Sequence, residues 1–208
     1  MFTDIVGYSS MVSKDEDGAM ELLSMHDKII EPILTDHGGE IIKKIGDSIF
    51  VRFKSPREGV ETAIKIQKKL KKRNSISDSQ NKFQIRIGLH TGSVIEKDND
   101  LFGYDVNLCS RIESIAPRGG IAASIDIIQA CKDNTSFHTR EMGHVKLKNI
   151  PNPQQIYKIY PDSKEYDAET PKSLQRSLIE NGFKRVQMYS WKKTAIRTLE
   201  VYEEVSRA

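Results

Sequence analysis

The chain has 208 residues, 38% hydrophobic and 29% charged, enough for one good core and an appendage. Its net charge of +3 is spread out, the densest run being Lys68–Arg73 at the end of a predicted helix, so no nucleic-acid partner is called for. No apolar run reaches the ~18 residues of a membrane span, no signal peptide is visible, and Cys109 and Cys131 lack metal-ligand spacing; the chain reads as a reduced, cytoplasmic protein with no membrane segment.

Met1 to Val6 is strand-like and stops at Gly7; as a central strand it would begin almost inside its sheet, as if truncated. Ser13 and Asp15 offer N-caps for an amphipathic helix through Leu22, Met25, Ile29, Ile33 and Leu34, ended by His37-Gly38-Gly39, with a kink or break expected at Pro32. Glu40–Ile45 and Ser48–Phe53 are β-branched or aromatic runs separated by Gly46-Asp47, a hairpin signal with Asp47 at its tip. Pro56 to Lys72 has helical spacing, and Arg73 to Asn81 reads as a polar loop. Phe83–Leu89 alternates as a strand, with Thr91-Gly92 expected to turn it into Ser93–Ile95 as a second hairpin. After Gly103, the apolar positions Val106, Leu108, Ile112 and Ile115 mark a helix that carries Asn107 and Arg111 one turn apart on the same face. Gly119–Ser124 is a short buried strand, Ile125 to Cys131 a helix, and Phe137–Lys148 and Gln154–Tyr160 the last strands.

A helix between strand and hairpin, repeated once, is the βαββαβ ferredoxin-like pattern: an α+β fold with an antiparallel sheet, helices on one face and extra C-terminal strands. Residues 1–160 form the expected domain, 161–170 a Pro/Asp/Ser/Lys linker, and 171–208 a tail of two helices.

Polar clusters fall at the strand ends: Asp4 after the first strand, Asp47 at the hairpin tip, and the stretch from Asp100 to Arg111. Two neighbouring carboxylates suit two Mg²⁺ ions, which take hard oxygen ligands and leave positions for water or phosphate. An amide and a guanidinium stacked on one helix can orient a ribose and hold charge on a phosphate. The competing readings are plain: Asp4 and Asp47 as turn residues, and residues 98–111 as an acidic loop before a solvated helix face.

Taken jointly, Phe2–Ser9 (FTDIVGYS), Ile42–Ser48 (IKKIGDS), Arg86–Gly92 (RIGLHTG) and Leu101–Arg111 (LFGYDVNLCSR) resemble the class III nucleotidyl (adenylyl/guanylyl) cyclase catalytic domain, in order and at compatible spacing, from residue 1 to about 160. The resemblance implies that Asp4 and Asp47 bind two Mg²⁺ (or Mn²⁺) ions, with the Ile5 carbonyl as an extra ligand. It implies that Lys43 and Asp100 read the purine, Asn107 orients the ribose, and Arg111 stabilises the transition state. Arg86 and Lys148 match triphosphate contacts, although Asn149 stands where the family usually has Gly. It further implies a homodimer with shared sites, metals on one chain and base-reading residues on the other.

Base choice follows from hydrogen-bond polarity. Adenine offers an N6 donor and an N1 acceptor, which Asp100 and Lys43 complement; guanine reverses both. Guanylyl cyclases of the family carry Glu and Cys at these places, so ATP is the expected substrate and 3′,5′-cyclic AMP the product. The competing readings are a cyclase of relaxed base choice that also uses GTP, and a catalytically weak, cyclase-like dimerisation module. The tail from Ser177 to Glu204, with Ser190, Trp191, Thr194, Ala195, Thr198 and Leu199, resembles instead the terminal helices of GT-B glycosyltransferases; no sugar-nucleotide domain accompanies it.

Overall fold

A computed structural model describes residues 1–78, 81–133 and 137–169. The two tail helices expected over 171–188 and 190–205 lie outside the described residues. The chain divides into two units, residues 1–166 and 167–208, and the site lies in the first.

The element order is β1 (Phe2–Ile5), α1 (Tyr8–Val12), α2 (Glu16–Asp36), β2 (Glu40–Ile45), β3 (Ser48–Arg52), α3 (Pro56–Ile76), β4 (Ile85–Leu89), β5 (Ile95–Lys97), β6 (Asp100–Phe102), α4 (Tyr104–Ser114), β7 (Ile121–Ser124), α5 (Ile125–Ala130), β8 (His138–Val145), β9 (Gln154–Tyr160) and α6 (Ser163–Ala168). Seven strands form one sheet in the order β2-β3-β1-β4-β7-β9-β8. The first four give the ferredoxin-like core with β1 and β3 inside, and β7, β9 and β8 extend it past β4. All neighbours are antiparallel except β4 and β7, which run parallel, as a strand reached by a helical crossover does.

Alternation along the strands separates two faces. Met1, Ile5, Ile49, Val51, Ile85, Ile87, Leu89, Ile121 and Ala123 point to one, where Ile30 and Leu34 of α2, Val60 and Ile66 of α3, and Ile127 of α5 complete the main core. The opposite face takes Phe2, Phe50 and Ala122, and is covered by α4 and the β5–β6 hairpin through Leu101, Leu108, Cys109 and Ile112. Phe2 and Phe50, cross-strand partners, stack with centroids 4.3 Å apart.

Local chemistry accounts for the helix ends. The Asp15 carboxylate accepts from Gly18 N at 3.0 Å and caps α2. Ser55 and Glu58 form a reciprocal capping box at α3, with Pro56 as its first residue.

Some expectations are corrected. α2 runs unbroken through Pro32, because this residue sits on the exposed side, where the carbonyl it leaves unpaired can reach water. The second hairpin is displaced: β4 does not turn at Thr91-Gly92 to pair with Ser93–Ile95. Instead β5 pairs with β6 around Asp98 and Asn99, both with positive φ (54° and 57°), a two-residue turn whose twist suits a hairpin and that Asn and Asp tolerate. Within the span read as a linker, residues 163–168 are helical.

Candidate active site

Strand register builds the acidic end of the site. Asp4 on β1 lies directly opposite Arg86 on β4, while Thr3 opposite Ile49 brings Ser48 at the start of β3 to the other side of Asp4. Ser48, Asp4 and Arg86 thus form a row across the sheet face that α4 covers. Ser48 Oγ donates to Asp4 Oδ1 at 3.1 Å, and Arg86 Nη2 is hydrogen-bonded and ion-paired to Asp4 Oδ2. Asp47, at the tip of the β2–β3 hairpin, folds back to accept the Ile5 backbone N–H at 2.9 Å.

The two carboxylates repel each other in a half-buried place. Burial first, and the Asp4 charge second, push the Asp47 carboxyl up to about 6. Glu113 of α4, which the sequence reading missed, sits above the same row. Burial and then Asp4 push it up to about 7. Its carboxylate is 3.2 Å from Arg86 Nε, and Arg86 Nη1 donates to Ser114 O at 3.1 Å. Burial alone would lower the Arg86 pKa, but the Asp4 hydrogen bond and the Glu113 and Asp4 charges outweigh it and leave the guanidinium more firmly protonated.

A signal for Glu113 was present. It follows Cys109 by four residues and adjoins Ile112, so a carboxylate stands on the inward stripe of an amphipathic helix, where an unpaired charge would be costly. The helix can descend this far because β4 carries Gly88 beneath it: a Cβ there would lie 2.3 Å from Glu113 N.

The donor set of Asp4, Asp47 and the Ile5 carbonyl is all oxygen, and Asp47, half-buried beside the Asp4 charge, has no cationic ion-pair partner among the described residues. It fits hard divalent cations. Among the described residues no three His, Cys, Asp or Glu side chains cluster as a metal cage, so water, backbone or a substrate phosphate would complete any coordination shell.

A second pair forms on the same face. Lys43 Nζ and Asp100 make an ion pair, with Lys43 5.5 Å from the Phe102 ring centroid, and this contact holds the Asp100 carboxyl below its ordinary pKa. A β-bulge between Ile41 and Lys43 makes the pair possible. It sets Lys43 opposite Phe50 rather than Ile49, and so on the face of α4; Lys44 then turns to the other face and binds Asp27 and Glu31 of α2.

Asn107 and Arg111 share the flank of α4 opposite Leu108, Cys109, Ile112 and Glu113. Asn107 is exposed, Arg111 partly so, and among the described residues neither makes a side-chain hydrogen bond or ion pair. Lys148 is exposed in a turn whose next residue, Asn149, has φ 61°, the left-handed conformation that Gly adopts freely and Asn tolerates. The fold therefore gathers Asp4, Ile5, Asp47 and Arg86, and separately Lys43 with Asp100. It leaves Asn107, Arg111 and Lys148 facing outward.

A ferredoxin-like sheet with paired carboxylates at its strand ends, flanked by an amide–guanidinium helix, defines an α+β catalytic domain of the nucleotidyl cyclase type. The sequence model for the adenylate and guanylate cyclase catalytic domain matches residues 1–161, and the chain belongs to that family. It is 33% identical over 155 residues to "Putative adenylate cyclase 3" of Rhizobium meliloti (strain 1021), covering 74% of this chain and 26% of that protein. The chain thus spans about a quarter of that curated relative's length. Among solved structures it resembles the adenylate/guanylate cyclase/hydrolase from Silicibacter pomeroyi, with a TM-score of 0.68 and 29% identity over 77% of this chain and 94% of that one. The adenylyl cyclase CyaB from P. aeruginosa shares the fold, with a TM-score of 0.63 and 24% identity over 76% of this chain and 91% of that one. Among the described residues no helix is long and apolar enough to cross a membrane.

Proposed function

We propose that this chain is an adenylate cyclase, converting ATP to 3′,5′-cyclic AMP and pyrophosphate at sites shared by two copies, as part of intracellular signal transduction. The observation that carries this reading is the division of the site by α4. The carboxylates lie on the sheet face beneath the helix, while Asn107 and Arg111, without side-chain partners among the described residues, stand on its far flank. Their placement on different sides of α4 favours a twofold dimer, in which each copy lends its α4 flank to the other's carboxylates.

Asp4, Asp47 and the Ile5 carbonyl would hold two Mg²⁺ (or Mn²⁺) ions, whose chemistry is to neutralise the triphosphate and to acidify the ribose 3′-hydroxyl. The 3′-oxygen attacks the α-phosphorus, its proton passing to solvent water, as the bond from the α-phosphorus to the oxygen bridging the β-phosphate breaks and pyrophosphate leaves with that electron pair. Asn107 holds the ribose so that the 3′-oxygen stays in line. Arg111 places its fixed guanidinium fork where charge builds at the α-phosphate, a geometry Lys lacks. Arg86 and Lys148 contact triphosphate oxygens. Asp100 accepts from the adenine N6 amino group and Lys43 donates to N1, while guanine would meet donor against donor and acceptor against acceptor.

The test is to incubate purified protein with ATP or GTP and Mg²⁺ or Mn²⁺ and to identify the cyclic product. Cyclic AMP from ATP is expected, with Asp47→Ala lowering it by about 100-fold or more. Cyclic GMP as the main product, or no cyclic product from dimeric protein with either nucleotide, overturns the assignment.

A further inference from the structure

The contact between Arg86 and Glu113 is incomplete. Arg86 Nε and Glu113 Oε1 face each other at 3.2 Å, both buried, yet neither has a hydrogen bond. The other edge of the same guanidinium is engaged: Nη2 with Asp4 and Nη1 with the Ser114 carbonyl. Leaving two buried polar atoms unsatisfied is costly, and a small rotation about the guanidinium would join them. The pull of Asp4 opposes that rotation. With a cation on Asp4 and Asp47, the attraction of Arg86 for Asp4 becomes repulsion, and the remaining buried anion within its reach is Glu113.

We propose that Glu113 is a positioning residue, anchoring Arg86 through Nε once Asp4 is taken by a cation, so that the Nη groups are freed toward the triphosphate. The inference rests on the reading of Arg86 as a triphosphate contact. Glu113 is suited to the task by rigidity: its backbone is pressed onto Gly88, two residues along β4 from Arg86, with no room even for a methyl group between them. It is also the charged member of the buried side of α4, exposed by only 8%. In the absence of a cation, Asp4 holds Arg86 away from this arrangement, so nucleotide and metal affinity are coupled through one side chain.

The experiment compares binding of 3′-deoxy-ATP, which has no attacking hydroxyl, and of adenosine, which has no phosphate, by calorimetry with full-length protein in Mg²⁺. Glu113→Gln is expected to weaken 3′-deoxy-ATP by about tenfold, the scale of one charge-assisted hydrogen bond, and to leave adenosine unchanged. In turnover, KM for ATP rises by more than kcat falls, and in an Arg86→Gln background the same substitution has no further effect. Glu113→Asp, which keeps the charge but draws the carboxylate back, gives a smaller loss with the same selectivity for the triphosphate, and serves if the Gln variant does not fold. Unchanged 3′-deoxy-ATP affinity, equal loss of both ligands, or a loss that adds fully to that of Arg86→Gln overturns the positioning role. Wild-type protein that binds adenosine but gains nothing from the triphosphate overturns the reading of Arg86 instead.

Discussion

Lys43 and Asp100 are 57 residues apart in sequence and meet through their side chains, each supplying what the other lacks: three donors against a carboxylate. In the ion pair each satisfies the other, so under the proposed reading of this pair a purine would have to compete with that contact. Only a base presenting a donor to Asp100 and an acceptor to Lys43 can do so without leaving a polar group unpaired, a penalty that makes hydrogen-bond selectivity steep. The combined substitution Lys43→Glu with Asp100→Cys, which reverses the polarity, is expected to lower the ratio of cyclic AMP to cyclic GMP by about 100-fold in an assay with both nucleotides. An unchanged ratio means that base choice lies elsewhere. The residue types at this pair, at Asp4 and Asp47, and at Asn107 and Arg111 were legible in the sequence. Glu113 was not read there: an isolated helical Glu looks like a surface residue until its neighbours at i−4 and i−1 are seen to point inward.

At the level of elements, α4 is the part whose height above the sheet sets the site. Gly88 is the reason for that height, since any side chain there meets the helix backbone. Gly88→Ala is expected to destabilise the fold by about 2–3 kcal/mol, as overpacking does, lowering the melting temperature by several degrees. Activity should fall further than stability explains, because the helix carries Asn107, Arg111 and Glu113 together. A variant that melts and turns over like wild type would show that α4 can lift without consequence. The bulge in β2 and the β5–β6 hairpin belong to the same scale. Both arise from pairing that periodicity does not specify. A strand reads the same with or without one extra residue, and Thr91-Gly92 is as good a turn signal as Asp98-Asn99. The Thr91-Gly92 segment is held instead by Asp105, which accepts from Ser93 N at 2.7 Å and from whose side chain a Cβ on Gly92 would lie 2.2 Å.

For the molecule as a whole, five of the nine large apolar residues exposed among the described residues fall on the end of β2, the β5–β6 hairpin region and the start of α4, namely Ile45, Val94, Ile95, Phe102 and Tyr104; the others, Val12, Met20, Ile76 and Met142, are scattered over α1, α2, α3 and β8. The five near α4, the helix that carries Asn107 and Arg111, are what the twin subunit of the proposed dimer would cover. The proposed twofold arrangement predicts complementation. Asp47→Ala and Asn107→Ala are each inactive alone, yet an equimolar mixture allowed to re-associate should recover about a quarter of wild-type activity: random pairing makes half the dimers mixed, each with one intact site of two. No recovery, with exchange of subunits verified, counts against shared sites.

The amino-acid sequence by itself determined the main strands and helices of the ferredoxin-like core and the chemical inventory, though not the short α1 or the β5–β6 pairing, because period-2 and period-3.6 apolar patterns and short turn signals are local properties that chain order preserves. Tertiary structure alone decided which face each polar group reaches. A one-residue bulge sends Lys43 to the side of α4 and Lys44 to that of α2, strand register sets Asp4 between Ser48 and Arg86, and one glycine lets Glu113 down onto them. Those outcomes depend on pairing between segments tens of residues apart, where a shift of a single position reverses every side chain.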